Sequence, residues 1–255
     1  MSDPAVRTAL ERLSIPRDGV LLVHSAFKAF SREGHEPEAV VGTMVDYMEP
    51  GLLLLPTMSW RHVKPEKPFF DELQTPSNTG ILTEIFRTKY AVRRSLHPTH
   101  SVAGRGRSVD ELLGSHHLDE TPCGVRSPFG MLAEHDGWVL LFGITMDCCT
   151  LIHHIEETIA PNLYVKPSSD REIYTCRSRE GEEVTVSLRR HQFLPRDYWQ
   201  FQDLLAAEGL LHIATVDGIG CRAFKAADLV NVTTGVLRKS HEAIIAKPGQ
   251  RYRMM

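Results

Sequence analysis

Short apolar runs that stop abruptly at polar or chain-breaking residues recur along this sequence. Residues 20–23 (Val-Leu-Leu-Val) end at His24-Ser25, and residues 52–55 (four leucines) end at Pro56-Thr57. Such runs, without polar alternation, predict strands buried on both faces, each feeding a loop. Residues 138–144 (WVLLFGI) give the strongest strand signal of the chain. Directly afterwards the period changes. Ile152, Ile155 and Ile159 recur at spacings of three and four, which predicts a helix with one apolar stripe within residues 150–160, closed by Pro161. Further helices are expected over residues 5–13, 37–48, 79–88, 198–208 and 227–239. Residues 59–78, with Pro65, Pro68 and Pro76, read as a long loop. Beyond Pro161 the pattern turns hairpin-like: residues 173–176 and 183–188 flank a turn at Gly181, and a short strand at 221–225 follows Gly218-Ile219-Gly220. Interleaved helices and strands predict an α/β fold, a mixed sheet with flanking helices in a single domain over residues 1–255.

Composition adds bounds. The chain has 255 residues, 42% apolar and 24% charged, an ordinary globular balance. Its formal net charge of −3 points away from a nucleic-acid partner, and the short basic clusters at 105–107 and 189–190 read as solvated surface. The polar start lacks a signal-peptide pattern, and no run approaches the ~18 apolar residues of a membrane span. Five cysteines without a CxxC pair suggest reduced thiols. A cytoplasmic protein, with no membrane partner and with oligomerisation left open, is the expectation.

Several groupings could carry chemistry. On a helix, His153 shares a face with Glu156 and with Glu157. A carboxylate beside an imidazole fixes its tautomer and stabilises its cation, the arrangement of a general base. The same spacing also fits a surface salt bridge. His97 and His100, joined by His116-His117 or His153-His154, could hold zinc in a metal-dependent hydrolase, but HExxH is absent. Cys148-Cys149 precede the helix, where a thiol can become nucleophilic. Neither a GxSxG elbow nor a GxGxxG or P-loop pattern is present.

Taken in order, the motifs resemble the aminoglycoside 3-N-acetyltransferase (antibiotic N-acetyltransferase) family. A VHSS-like strand end falls on Val23-His24-Ser25-Ala26, with Ala26 departing from the second serine. Leu55-Pro56-Thr57 and Thr79-Gly80-Ile81-Leu82 match the next two elements, and residues 94–104 match an RSxHPxxSxAAxG stretch. Ser127 to Leu132 match SPxGxL. The most specific piece, DGxVLLLGxxxxxxTTLHxAE, runs from Asp136 through Thr150 and His153 to Glu156, and Ala227-Asp228-Leu229-Val230 resembles the closing helix.

The resemblance implies an α/β fold distinct from the common acetyltransferase superfamily, and transfer of an acetyl group from acetyl-CoA to an amine of an aminoglycoside, at the 3-amino position, or of a related acceptor. It implies His153 as base, Glu156 as its orienting carboxylate, Thr150 as an oxyanion donor and His191 as a second polar group. His24, Ser25, Pro56, Thr57, Gly80, Ser101, Val102 and Ser127 would line the acetyl-CoA channel, with Lys28, Arg94 or Arg105 attracting its phosphates. Asp147, Glu157, Asp71 and Glu72 would meet a cationic acceptor. No metal is expected, and Cys148 and Cys149 would be bystanders. Met146, Cys148 and Cys149 stand where many family members carry polar residues, so the acceptor could be an amine other than an antibiotic.

Overall fold

The computed structural model describes residues 2–250 and 252–254. Its strands are β1 (Val20–Ser25), β2 (Leu52–Pro56), β3 (Phe69–Asp71), β4 (Arg93–Arg94), β5 (Val102–Gly106), β6 (Trp138–Phe142), β7 (Glu172–Arg177), β8 (Glu183–Leu188), β9 (Pro195–Arg196), β10 (His212–Val216), β11 (Ile219–Lys225) and β12 (Arg253–Met254). Its α-helices are α1 (Pro4–Arg12), α2 (Lys28–Arg32), α3 (Pro37–Tyr47), α4 (Ile81–Ile85), α5 (Val109–Leu113), α6 (Pro128–Met131), α7 (Leu151–Ile159), α8 (Pro161–Tyr164), α9 (Trp199–Ala207) and α10 (Ala226–Lys239).

Seven strands form one mixed sheet in the order β10-β11-β6-β1-β2-β5-β4. The three central strands are parallel, β1 pairing with β2 on one side and with β6 on the other. These are the three apolar runs, and both faces of each are covered. Leu22, Leu54, Val139 and Leu141 pack in one core with α7, α9 and α10. Leu21, Val23, Leu53, Leu55, Leu140 and Phe142 pack in the opposite core with α1 and α3. Full burial on two faces explains the absence of alternation in the sequence. The α/β fold with a mixed multi-strand sheet is therefore as expected.

A second sheet holds β3, β7 and β8 in that order. The stretch expected to be only loop, 59–78, thus contributes β3, which pairs in parallel with β7. The hairpin of β7 and β8 forms as predicted. The short strand after Gly220 starts earlier, at Ile219, and gains an antiparallel neighbour, β10, that the pattern did not reveal.

Because β1, β2 and β6 run in one direction, their carboxyl ends at Ser25, Pro56 and Phe142 open on one edge. Ligands of open α/β sheets bind at such edges. Two backbone features shape this one. Gly80 starts α4 at φ 119°, ψ 174°, a conformation essentially reserved for glycine. Gly143, at φ 68°, turns the chain out of β6 so closely over Phe30 that an added Cβ would lie 2.4 Å from its ring.

Candidate active site

A cleft of about 470 Å³ lies at that edge. His24, Ser25, Ala26 and Phe27 leave β1 into it, Pro56 and Met58 come from the end of β2, and Thr79 to Thr83 form a wall. Thr150 and His153 at the start of α7, with Cys148 from the turn before it, close its floor. Trp60, Arg61, Asn78 and His100 complete the lining.

Helix α7 places its chemistry by period. Leu151, Ile152 and Ile155 enter the core, while His153, Glu156 and Glu157 share another side that is also buried. His153 Nδ1 lies 2.8 Å from Glu156 Oε2. Glu156 Oε1 accepts from Arg196 Nε at 2.8 Å and from the Tyr198 hydroxyl at 2.8 Å. The same hydroxyl oxygen lies 3.1 Å from His153 Nδ1. Burial by itself would raise the Glu156 carboxyl. The charge and hydrogen bond of His153, then those of Arg196, outweigh it and hold the group down at about 2. In the neutral ring, an ionised carboxylate at Nδ1 draws the proton to that nitrogen and leaves the lone pair on Nε2.

Glu157, expected as an alternative partner of His153, turns to His191 instead, with Nε2 and Oε1 2.5 Å apart. It also accepts from the Thr121 hydroxyl at 2.6 Å and the Cys123 N–H at 2.9 Å. Burial dominates here and pushes Glu157 up to about 7, against those two hydrogen bonds. The His191 ring stacks on the His153 ring, centroids 4.2 Å apart and planes at 21°. Burial, and next the neighbouring His153, keep His191 well below its ordinary value. Two consecutive glutamates therefore each hold one histidine of a stacked pair.

Of the residues expected to line the acetyl-CoA channel, His24, Ser25, Pro56 and Gly80 do line the cleft. Thr57, Ser101, Val102 and Ser127 are fully buried and are not among the cleft-lining residues. Arg94 donates from Nε to the hydroxyls of Thr57 (3.1 Å) and Ser101 (3.0 Å). The Val102 N–H donates to Ser95 Oγ, and Ser127 caps α6 by accepting from the Gly130 N–H. Arg94 itself is buried, which lowers it to about 9, and its guanidinium braces residues 57–75 by donating to the carbonyls of Thr57, Glu72 and Thr75. Arg105 is exposed on another hollow, beside Val45 and Met48. Lys28 is exposed next to the cleft-lining Phe27.

The acidic residues expected at the acceptor site each have a partner within the chain. Asp71 binds Arg177 at 2.8 Å and the N–H groups of Leu73 and Gln74. Glu72 accepts from the Arg94 N–H and from Arg179. Asp147 accepts from the Thr145 hydroxyl in the turn before Cys148. In the histidine clusters behind the hydrolase alternative, the His97 and His116 rings stack at 4.3 Å, and His97 Nδ1 accepts from the Thr99 and His100 N–H groups. Among the described residues, Cys123, Glu157 and His191 bring a sulfur, an oxygen and a nitrogen within 4.8 Å of one another. The last two already bond to each other, and burial raises the Cys123 thiol well above its ordinary value. Cys149 is buried and pushed up to about 12, which makes it a poor nucleophile.

Sequence reading missed Arg196 and Tyr198, which reach Glu156 from 40 and 42 residues away. It also missed Trp60, Arg61 and Asn78. None sits in a local pattern that announces such a role.

Comparison with known proteins supplies the remaining context. The model of the family described as aminoglycoside 3-N-acetyltransferase matches residues 22–238. A prophage-derived aminoglycoside N(3')-acetyltransferase-like protein of Bacillus subtilis (strain 168) is 24% identical over 243 residues, 87% of each chain. Aminoglycoside N(3)-acetyltransferase III of Pseudomonas aeruginosa is 25% identical over 217 residues, 77% of each chain. The solved structure of AAC-IIIb in binary complex with CoASH shares the fold, with a TM-score of 0.78 at 22% identity over 98% of this chain and 99% of that one. The family match takes in the cleft wall, the His153–Glu156 pair and the residues that hold it, and the chain belongs to the aminoglycoside 3-N-acetyltransferase family.

Proposed function

We propose that this chain transfers the acetyl group of acetyl-CoA to an amine of an aminoglycoside, at the 3-amino position, with His153 as general base. The observation that carries the reading is the 2.8 Å contact of His153 Nδ1 with an ionised Glu156 on the floor of the cleft. Family membership and the CoASH complex of a relative support acetyl-CoA as co-substrate.

A protonated amine cannot attack a thioester. In this reading His153 Nε2 takes the amine proton as the nitrogen adds to the carbonyl carbon. The imidazolium that forms is stabilised by Glu156. Collapse of the tetrahedral intermediate breaks the C–S bond, and the departing sulfur takes up the proton. Thr150 lines the cleft and its hydroxyl does not cap α7, which suits it to meet the developing oxyanion. His191, stacked on His153, would cover the base on the acceptor side. Five free cysteines and this co-substrate suit a cytoplasmic setting.

A second reading concerns the acceptor. Asp71, Glu72 and Glu157 are engaged internally, and among the described residues no carboxylate lines the cleft. That favours an amine with fewer positive charges than an aminoglycoside. Thiol release from acetyl-CoA, measured with a panel of aminoglycosides and simpler amines, separates the readings. Turnover with an aminoglycoside that falls by about 10² or more in His153→Ala supports the first. Turnover with other amines alone supports the second. A variant as active as the parent would remove His153 from the chemistry.

A further inference from the structure

The proposed base is held by more than its own glutamate. Glu156 is fully buried, and its charge is met by a second fully buried group, the Arg196 guanidinium. Arg196 is locked in turn: Nη1 donates to the carbonyls of Gln192 (3.1 Å) and Leu194 (3.2 Å), and the guanidinium lies 5.4 Å over the Tyr164 ring. Tyr198 has one proton to give. With an ionised Glu156 beside it, that proton goes to Oε1, and the phenol oxygen faces His153 Nδ1.

We infer that Arg196 and Tyr198 are positioning residues for acetyl transfer, holding Glu156 as a charge-compensated carboxylate turned onto His153 Nδ1. This rests on the reading of His153 as base. The physical reason lies in the charge count. A buried carboxylate with no cation beside it draws a proton onto the His153–Glu156 pair, on whichever partner, and a pair that keeps its proton cannot accept another from the amine. Arg196 supplies the compensating charge without approaching the reacting atoms. Tyr198 fixes which carboxylate oxygen faces the ring.

The groups around the pair leave this role to Arg196 alone among the described cations in contact with Glu156. From α7 itself come Glu156 and Glu157. From residues 191–198 come His191, Arg196 and Tyr198. His100 stands 5.5 Å from the His191 ring. Burial lowers both neighbouring histidines well below their ordinary values, so neither offers a permanent positive charge.

The test is the pH profile of kcat/KM, with KM for acetyl-CoA, for the whole protein and for Arg196→Met, Arg196→Lys, Tyr198→Phe and His153→Ala. In Arg196→Met the acid limb should move to higher pH by about one unit or more, because an opposite charge at this range shifts a titration by roughly that much. Its kcat should fall about 10²-fold while KM changes by less than about threefold. Arg196→Lys keeps the charge and should leave the limb at the parent position. Tyr198→Phe preserves the packed ring and keeps the proposal testable should Arg196→Met not fold. It should lower kcat by about tenfold, with KM for acetyl-CoA nearly unchanged. A folded Tyr198→Phe with parental kcat, or a folded Arg196→Met whose acid limb stays in place, overturns the inference. If His153→Ala retains parental activity, the reading of the base fails first, and that outcome is distinct from the other two.

Discussion

Glu156 and Glu157 are neighbours in one helix, and their surroundings push their carboxyls in opposite directions. Glu156 has a guanidinium, a phenol and an imidazole as donors, and is held at about 2. For Glu157 burial comes first and outweighs the Thr121 hydroxyl, the Cys123 N–H and the nearby His153 and His154, with no Lys or Arg ion pair to it among the described residues, and it rises to about 7. The consequence for stability has a definite sign. A carboxyl raised in the folded state binds a proton there that the unfolded chain has already released, so its contribution weakens as pH climbs from about 4.5 to about 7. Glu157→Gln removes that titration. Over this window the variant should gain on the parent by on the order of 3 kcal/mol, in urea melts at several pH values. A difference independent of pH would mean that Glu157 is already ionised in the fold. The two glutamates also mark what spacing alone leaves open. Positions three and four apart both face His153, and only the side-chain directions, set by Arg196, Tyr198 and His191 from a remote segment, assign one partner to each.

At the scale of elements, what the sequence announced is what local physics decides. The runs at 20–23, 52–55 and 138–144 became the parallel centre because nothing but a doubly covered strand accommodates them, and Ile152 and Ile155 aimed α7 at the core. What stayed hidden depends on distant pairing. Strand β3 is three residues long and is defined by β7, some hundred residues later. Strand β10 exists because β11 lies beside it. The cleft wall falls between these cases, since the family-like Thr79-Gly80 signalled a helix start but not its conformation. At φ 119° Gly80 needs the absence of a side chain for its backbone, whereas an added Cβ would meet nothing within 4 Å. Gly80→Ala should therefore cost about 1–3 kcal/mol through strain alone. The first turn of α4 should also shift, raising KM for acetyl-CoA more than it lowers kcat. A thermal melt and a saturation curve check the two parts, and a variant with parental values for both would show that this turn can relax without touching the cleft.

At the scale of the whole molecule the histidines set the response to acid. Burial is the leading cause that lowers His24 and His116 to about 3 and holds His97, His100 and His191 well below their ordinary values. Each of these takes a proton in the unfolded chain as pH falls through about 6.5 while the folded chain refuses it. Stability therefore drops by about 1.4 kcal/mol per pH unit for each. His35, raised against burial by Asp3 and Asp217, works the other way above about pH 6.5, where it keeps a proton the unfolded chain has released, and so do two buried carboxyls at lower pH. Asp119, raised to about 6, and Glu157, raised to about 7, bind protons in the fold that the unfolded chain still lacks, and they offset part of the loss down to about pH 4. Five histidines against two carboxyls leave the unfolded state ahead by about three protons just below pH 6. The slope there should be on the order of 4 kcal/mol per unit, enough to exhaust an ordinary folding free energy of about 5–15 kcal/mol before pH 3. Circular-dichroism melts from pH 8 to pH 4 should show little change above about 7.5 and a fall that steepens towards pH 6. His24→Leu should flatten that fall by about one proton's share. A melting temperature constant from pH 7 to pH 5 would mean that the buried imidazoles carry protons in the folded chain. The neutral histidine stack behind the proposed base would then be a charged one.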